Sequence, residues 1–360
     1  SLRGDELTNV VQTADQSAEN VPRPGPDAKS NAEGVPAPEG APTEGEDGEP
    51  FPDAHAAAGD WQRWPAPTVC LFVTGQQNGY IEPCGCTGLD RQKGGIARRY
   101  TFMEKLNKKG WSLLPIDAGN QVRRFGRQAE IKLQASSKAL EAMDYKSVGF
   151  GPDDVRLSAG ELLSVAASGG GQDSMYSSSN VDLIDESLMP QIKTDVLNGM
   201  KVAIASVLDP SAIEADLSDD VTVDQLEKST MKASYMIKDT EADFRVLMFF
   251  GKEEVGKQLM RDIPGFDLIV VAGGYGEPTF QPESINGVNT KMIVTGNKGM
   301  YAGLVGLYND GPLRYARVPL THEFEDAPEM RDLMKEYQDQ LRDIGLEGLG
   351  LLPPIPHSSG

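Results

Sequence analysis

The chain has 360 residues, with 34 Lys and Arg against 54 Asp and Glu, three His and three Cys. A formal charge of −20 excludes a nucleic-acid binder, which needs a basic face to displace counterions, and a polybasic membrane-surface protein. No apolar run approaches the roughly 18 residues that a membrane-spanning helix needs, and three Cys cannot build a disulfide scaffold.

Residues 1–65 read as an acidic Pro/Gly-rich linker. The first 60 residues hold 13 acidic and 3 basic side chains, a difference of −10 and half of the total charge, with eight Pro and one aromatic residue, Phe51. Such a segment buries too little apolar surface to offset about 1–2 kcal/mol of backbone ordering per residue, so it is expected to be disordered. A spacer of this kind, opening at Ser1 without a Met, is expected downstream of an export signal or a lipid anchor, in a periplasmic or cell-surface protein.

Residues 66–326 read as the folded body. Apolar β-type runs occur at Thr68–Thr74, Ser112–Asp117, Lys201–Leu208, Phe244–Phe250, Asp267–Ala272 and Lys291–Thr295. Several are apolar at successive positions, as suits strands buried on both faces. Helices are predicted at Gly95–Lys109, Glu130–Met143 and Lys252–Arg261. This alternation implies an α/β layered fold. Leu304–Pro319 reads as a hairpin turning at Asn309-Asp310-Gly311, which makes the sheet arrangement mixed. Residues 168–179 read as a polar loop and 209–227 as a second acidic stretch. Residues 327–346 form an amphipathic helix, with Met330, Leu333, Met334, Tyr337, Leu341 and Ile344 in one stripe. Residues 347–360 read as a second linker. Trp61 and Trp64 are expected to anchor the first linker to the body.

The His residues are 55, 322 and 357, so residues 56–321 contain none and cannot build a His-based catalytic centre.

Four motifs in order carry a resemblance. Gly94-Gly95-Ile96-Ala97-Arg98-Arg99 looks like a GG-x-AR-R helix start. Ile116-Asp117-Ala118-Gly119-Asn120 looks like a strand-end DAGD. Asp267–Gly273 looks like the strand leading into GHxH, and Val294–Gly303 like the hairpin after it. Together they resemble the metallophosphoesterase domain of the UshA-type 5′-nucleotidases in the calcineurin-like superfamily. The resemblance implies an α/β/β/α sandwich of two mixed sheets flanked by helices. It also implies a site in which carboxylates and imidazoles hold two divalent metals that generate a hydroxide.

At the positions of those ligands the residues differ. The family's Asp and His of Thr-Asn-Asp-x-His-Gly align with Gln76 and Asn78, and the bridging Asp of DAGD with Asn120. Gly-Asn-His-Glu aligns with Gly151-Pro152-Asp153-Asp154. A mid-domain His would fall near Phe249–Gly251. GHxH aligns with Gly273-Gly274-Tyr275-Gly276, so Gly274 and Gly276 stand where two His would. The former metal-site positions are therefore Gln76, Asn78, Asn120, Pro152, Asp153, Gly274 and Gly276, and the expectation is a catalytically degenerate site with no catalytic residue.

Glu82-Pro83-Cys84-Gly85-Cys86-Thr87-Gly88 follows the first strand. Two thiolates this close can share a soft metal, with Asp117, Asp153 or Cys70 as third ligand. Alternatively, Cys70 pairs with one of them, or Cys70 is a buried small hydrophobe. Arg98 and Arg99 open a helix and are either an anion site or a fold-stabilising helix start. The Glu82–Cys86 loop followed by GG-x-AR-R resembles UshA-like modules found ahead of multihaem cytochrome c domains. The resemblance thus implies a binding or structural module of an exported assembly, with a multihaem cytochrome c as protein partner. No cofactor is expected within the chain, apart from a single metal on Cys84 and Cys86. Two alternatives stand beside this: a metal-dependent phosphoesterase with an altered site using Asp117, Asp153, Asp154 and the pair Cys84 and Cys86, or a Cys-based metal or redox adaptor.

Overall fold

The computed structural model describes residues 60–83, 92–124, 126–166, 173–214, 216–218 and 220–345, all within one compact unit. Residues 1–59 of the linker expected at 1–65, the linker expected at 347–360, the first part of the polar loop at 168–172, and Cys84 and Cys86 lie outside the described residues, while Trp61–Arg63 at the end of the first linker form a short 3-10 turn.

In chain order the elements are β1 (Val69–Thr74), α1 (Ile96–Lys108), β2 (Leu113–Asp117), α2 (Arg127–Ala142), β3 (Ser147–Val148), α3 (Ala159–Ala166), β4 (Val181–Leu183), β5 (Ile192–Leu197), β6 (Met200–Leu208), β7 (Val221–Val223), α4 (Leu226–Asp239), β8 (Phe244–Phe250), α5 (Glu253–Asp262), β9 (Leu268–Ala272), β10 (Glu283–Ser284), β11 (Lys291–Val294), β12 (Tyr301–Leu307), β13 (Arg314–Pro319) and α6 (Arg331–Asp343). All six apolar runs are strands and all three predicted helices form, with ends that coincide or shift by at most three residues.

The strands make a five-stranded sheet, β13-β12-β1-β2-β3, a six-stranded sheet, β10-β11-β9-β8-β6-β5, and a two-stranded ribbon, β4-β7. In the first large sheet β1, β2 and β3 are parallel, and the predicted hairpin β12–β13 adds antiparallel strands beside β1. In the second, β6, β8, β9 and β11 are parallel and β5 and β10 are antiparallel edges.

The continuous apolar runs reflect burial on two sides. Val246, Met248 and Phe250 of β8 join the core between the sheets, whereas Leu247 and Phe249 pack under α4 and α5. On the other flank Phe102 and Leu106 of α1 and Ile131 and Leu140 of α2 cover the first sheet. The result is the α/β/β/α sandwich of two mixed sheets. Pro115 is tolerated inside β2 because its carbonyl accepts from Lys146 N on the β3 side, and the missing N–H points the same way, where β3 is only two residues long.

Trp61 packs edge-on against Phe102 and Trp111, and Trp64 stacks on Trp111, so both anchor the chain ahead of β1. Cys70 is fully buried in mid-strand. Helix α6 places Tyr337 in the main core. Among the described residues no helix is long and apolar enough to cross a membrane.

Gly119 fixes how the loop after β2 meets the loop after β3. It has φ of 95°, and a Cβ there would come within 2.6 Å of the Phe150 carbonyl carbon and 2.9 Å of Gly151 N. Gly119→Ala combines a left-handed backbone with a backbone clash. It should lower stability by about 2–3 kcal/mol, read as a drop in urea midpoint with unchanged m-value. An unchanged midpoint would show that the two loops do not touch in this way.

Candidate functional site

Parallel strands from both sheets end on the same side of the sandwich, where an α/β fold commonly leaves a crevice at its strand carboxyl ends. The loops after β1, β2, β3, β6, β8, β9 and β11 line a cavity of about 390 Å³. The sequence-predicted positions Gln76, Asn78, Asn120, Pro152 and Asp153 all face it, as do Gly273 and Tyr275 of the glycine-rich loop. Gly274 and Gly276 do not line it. A Cβ at either would meet no atom within 4 Å.

The floor is held by backbone pairing between loops. Gln76 N donates to Gly119 O at 2.8 Å, Asn78 N to Asn120 O at 2.9 Å, and Lys298 N to Gln76 O at 2.7 Å. Four non-glycine residues on the lining adopt left-handed backbone, Gln76 (φ 51°), Asn78 (52°), Asn120 (64°) and Lys298 (57°). Such conformations persist where the surroundings over-determine them, and they concentrate at functional sites.

The side chains on the floor form a linked set. Asn120 Nδ2 donates to Asn78 Oδ1 at 2.7 Å and to Asp153 Oδ2 at 3.4 Å, and Asn120 Oδ1 accepts from Asp153 N at 2.9 Å. Gln76 Nε2 donates to Gly296 O at 3.3 Å. Asp153 also pairs with Arg156 at 3.3 Å. Sequence reasoning did not single out Arg123, Arg156, Asp209, Ser211, Glu214, Lys252, Asn297 and Lys298 as site residues, yet they supply the rest of the polar lining. They sit on loops of several strands, and their convergence has no local sequence signal. Among the described residues no three His, Cys, Asp or Glu side chains group into a metal-ligand set.

Asp154 and Asp117 are buried beneath this floor. Asp154 accepts from Asn120 N (2.8 Å), Val122 N (3.1 Å) and Gly151 N (2.9 Å). Burial pushes its carboxyl up to about 7, against those three donors, which favour the charged form. Asp117 accepts from Thr74 Oγ1 (2.5 Å), Gln121 Nε2 (2.7 Å) and Gly119 N (2.9 Å), and its carboxyl is raised by burial against the opposing field of Arg99. Neither is open to a substrate. Of the three carboxylates considered for an altered hydrolase, Asp153 alone lines the crevice.

Arg99 is 1% exposed and donates to Gln77 Oε1 and to Tyr145 OH, which bonds Thr74 Oγ1 at 2.9 Å. Its role is to hold the loop after β1 from below. Arg98 donates to Gln92 O and faces Asp326 at 3.6 Å. Neither arginine lines the crevice.

No family model matches the sequence, and no curated protein matches it significantly. Solved structures do. A 5′-nucleotidase precursor from Thermus thermophilus aligns with a TM-score of 0.64 at 18% identity, over 77% of this chain and 59% of that one. The sulfate thiohydrolase SoxB from T. thermophilus, in complex with glycerol, gives 0.64 at 14% identity, over 78% and 62%. The calcineurin-like phosphoesterase YfkN from Bacillus subtilis gives 0.57 at 13% identity, over 77% and 98%. The chain thus spans about three fifths of the length of the first two.

The raised carboxyl of Asp154 has a testable consequence. A folded-state value above the unfolded one contributes stability that is full below about pH 4 and is lost as pH rises toward about 7. Asp154→Asn removes that dependence. The stability gap between the wild type and this variant, from urea midpoints, should therefore be larger at pH 5 than at pH 7.5. A gap that widens as pH rises would reverse the assignment. From alignments that cover about three quarters of its length, the chain has the calcineurin-like phosphoesterase fold that the 5′-nucleotidases share.

Proposed function

We propose that this chain is a binding module on a phosphoesterase fold, in which the crevice holds an anionic ligand through guanidinium and ammonium groups and performs no metal-dependent hydrolysis. The observation that carries the reading is the donor set. Where the fold's dimetal site would lie, the lining offers Gln76, Asn78, Asn120, Pro152 and Gly273; its carboxylates are Asp153, already paired to Arg156, and Asp209 and Glu214 after β6, and no three of the described His, Cys, Asp and Glu side chains group as metal ligands. Amides keep the shape of carboxylates without their charge, and two divalent ions need anionic ligands to offset their repulsion. These residues do not fit a metal pair.

The cations support the second half of the reading. Arg123, Lys252 and Lys298 line the crevice, and among the described residues none of the three has a carboxylate partner. In a chain of net charge −20, three such cations on one cavity make a local field that favours an anion. Three carboxylates share the lining: Asp153 pairs with Arg156, Asp209 accepts from Ser211 N at 2.8 Å, and Glu214 completes the set.

The exported setting and a multihaem cytochrome c as partner belong to the same proposal and rest on the sequence resemblance of the Glu82–Gly88 loop. Haem absorbance co-eluting with this chain from its native source is the corresponding test.

The direct test combines elemental analysis with turnover. After incubation with Mn²⁺ or Zn²⁺ and desalting, the protein should retain well under one metal per chain and hydrolyse neither p-nitrophenyl phosphate nor a nucleotide above background. Inorganic sulfate or phosphate should raise the melting temperature, and Arg123→Ala should abolish that rise. Two metals per chain with nucleotide turnover would sink the proposal.

A further inference from the structure

The two large sheets end in four edge strands, and three of them are poor templates for another chain. Strands β3 and β10 are two residues long. Strand β13 carries Arg314 and Arg317 with no carboxylate, and ends at Pro319, which has no N–H. Strand β5 is six residues long and pairs with β6 on one side, and among the described residues no strand pairs with its outer edge. The turn beside it decides which backbone groups face that edge. Asn198-Gly199 is a two-residue turn between Leu197 and Met200, so these two form a hydrogen-bonded pair of the ladder, followed by Asp195 with Val202 and Lys193 with Ile204. Ile192, Thr194 and Val196 therefore aim their N–H and C=O groups away from β6. Accordingly, Val196 N donates to a side chain, Asp195 Oδ1 at 2.8 Å.

The strand is complementary to itself in antiparallel register. Counting outward from Thr194, Lys193 and Asp195 stand one residue away, and Ile192 and Val196 two residues away. A two-fold axis through Thr194 sets Lys193 of each copy opposite Asp195 of the other, Ile192 opposite Val196, and Thr194 opposite Thr194. Opposite charges, β-branched pairs and a Thr pair are the cross-strand neighbours that stabilise an antiparallel ladder. The axis also suits the backbone, because Thr194, Ile192 and Val196 are the residues whose N–H and C=O groups face the edge. Shifting the axis by one residue sets Lys193 against Lys193 or Asp195 against Asp195. Thr194 is exposed, and so is Val196, at 57%. Lys193 Nζ donates to Ser174 O at 2.9 Å, and an ammonium carries three donors.

We infer that the outer edge of β5 is the contact surface for a second copy of this chain, which adds its own β5 antiparallel about a two-fold axis at Thr194. The same patch serves both copies, so the assembly closes at two. On pairing, the Val196 N–H exchanges Asp195 Oδ1 for the Ile192 carbonyl of the second copy, and Asp195 turns to Lys193 of that copy. That N–H gains no bond in the exchange. A ladder over residues 192–196 is also much smaller than a standard interface of about 800 Å² per partner. The pair is therefore weak, with a Kd of roughly 10–1,000 µM. No β5 residue lines the crevice, so this contact is separate from the anion reading.

The experiment is sedimentation velocity of the full chain from about 1 µM to about 1 mM, in physiological salt so that the net charge of −20 is screened. The wild type should pass from one copy to two as concentration rises. Thr194→Pro removes an N–H that β6 does not use, so the fold should hold while association weakens at least tenfold. Lys193→Asp and Asp195→Lys should each weaken it similarly, and the two together should restore it, because the exchanged charges again face one another. Thr194→Cys gives a readout independent of the stability of the other variants. Hydrogen-bonded cross-strand pairs have Cα atoms about 5.5 Å apart, within reach of a disulfide, so mild oxidation should yield a covalent dimer. Val196→Cys, away from the axis, and the wild type, with its native cysteines alone, should yield none. A single copy at every concentration overturns the inference. So does a dimer indifferent to Thr194→Pro, a double charge exchange no better than either single one, covalent dimer from Val196→Cys in place of Thr194→Cys, or growth beyond two copies.

Discussion

Three backbone N–H groups from two loops converge on the buried carboxylate of Asp154, and the geometry of the crevice depends on that convergence. Asn120 and Val122 belong to the loop after β2, and Gly151 to the loop after β3. Without a shared acceptor, these N–H groups would be buried donors with nothing to meet, at a cost of about 1–3 kcal/mol each. With it, the two loops are fixed relative to one another, and Asn120 and Asp153 are brought within hydrogen-bonding distance on the solvent side. The loop after β1 is held by a second buried set, in which Arg99 reaches Gln77 from below. The site is therefore positioned by polar groups that never touch a ligand. The sheets supply direction, because parallel strands of both end at the same rim.

Charge on this chain is divided by position. Half of the −20 lies in the first 60 residues, so it says little about the folded body. Within that body the crevice runs against the average, with four cationic side chains, Arg123, Arg156, Lys252 and Lys298, around three carboxylates. Field lines concentrate in a cleft with low-dielectric walls, so this local reversal matters more to a ligand than the overall sign does. A composition sum cannot show it, since the four cations come from the loops after β2, β3, β8 and β11.

What the sequence made legible follows from which signals are local. Runs such as VCLFVT and FRVLMFF announce strands because burial on both faces requires apolar residues at every position, and the motif loops could be placed because they directly follow those strands. Helix α4 was hidden by its polar composition: Ser229, Thr230 and Ala233 form much of its buried face, so its stripe is small rather than apolar. Strand β5 was hidden because it is a half-exposed edge, IKTDVL, yet Asn198-Gly199 beside it is a hairpin signal, and both residues adopt the positive φ that such a turn requires. The buried end of Arg99 was not legible either. An arginine at a helix start looks alike whether it faces water or a buried tyrosine, and only the packing of β1 against β2 decides between them.

The carboxamides at the crevice floor show why this arrangement can stand on its own. Asn78 and Asn120 lie close enough for a 2.7 Å hydrogen bond, and Asp153 lies against the same Asn120 amide. Two carboxylates at that separation would repel, and would need either a cation or a shared proton between them. A carboxamide is neutral and carries both donor and acceptor, so each can satisfy its neighbour and the floor closes on itself. The left-handed backbone at Gln76, Asn78 and Asn120 is then maintained by loop-to-loop hydrogen bonds, independent of any bound ion.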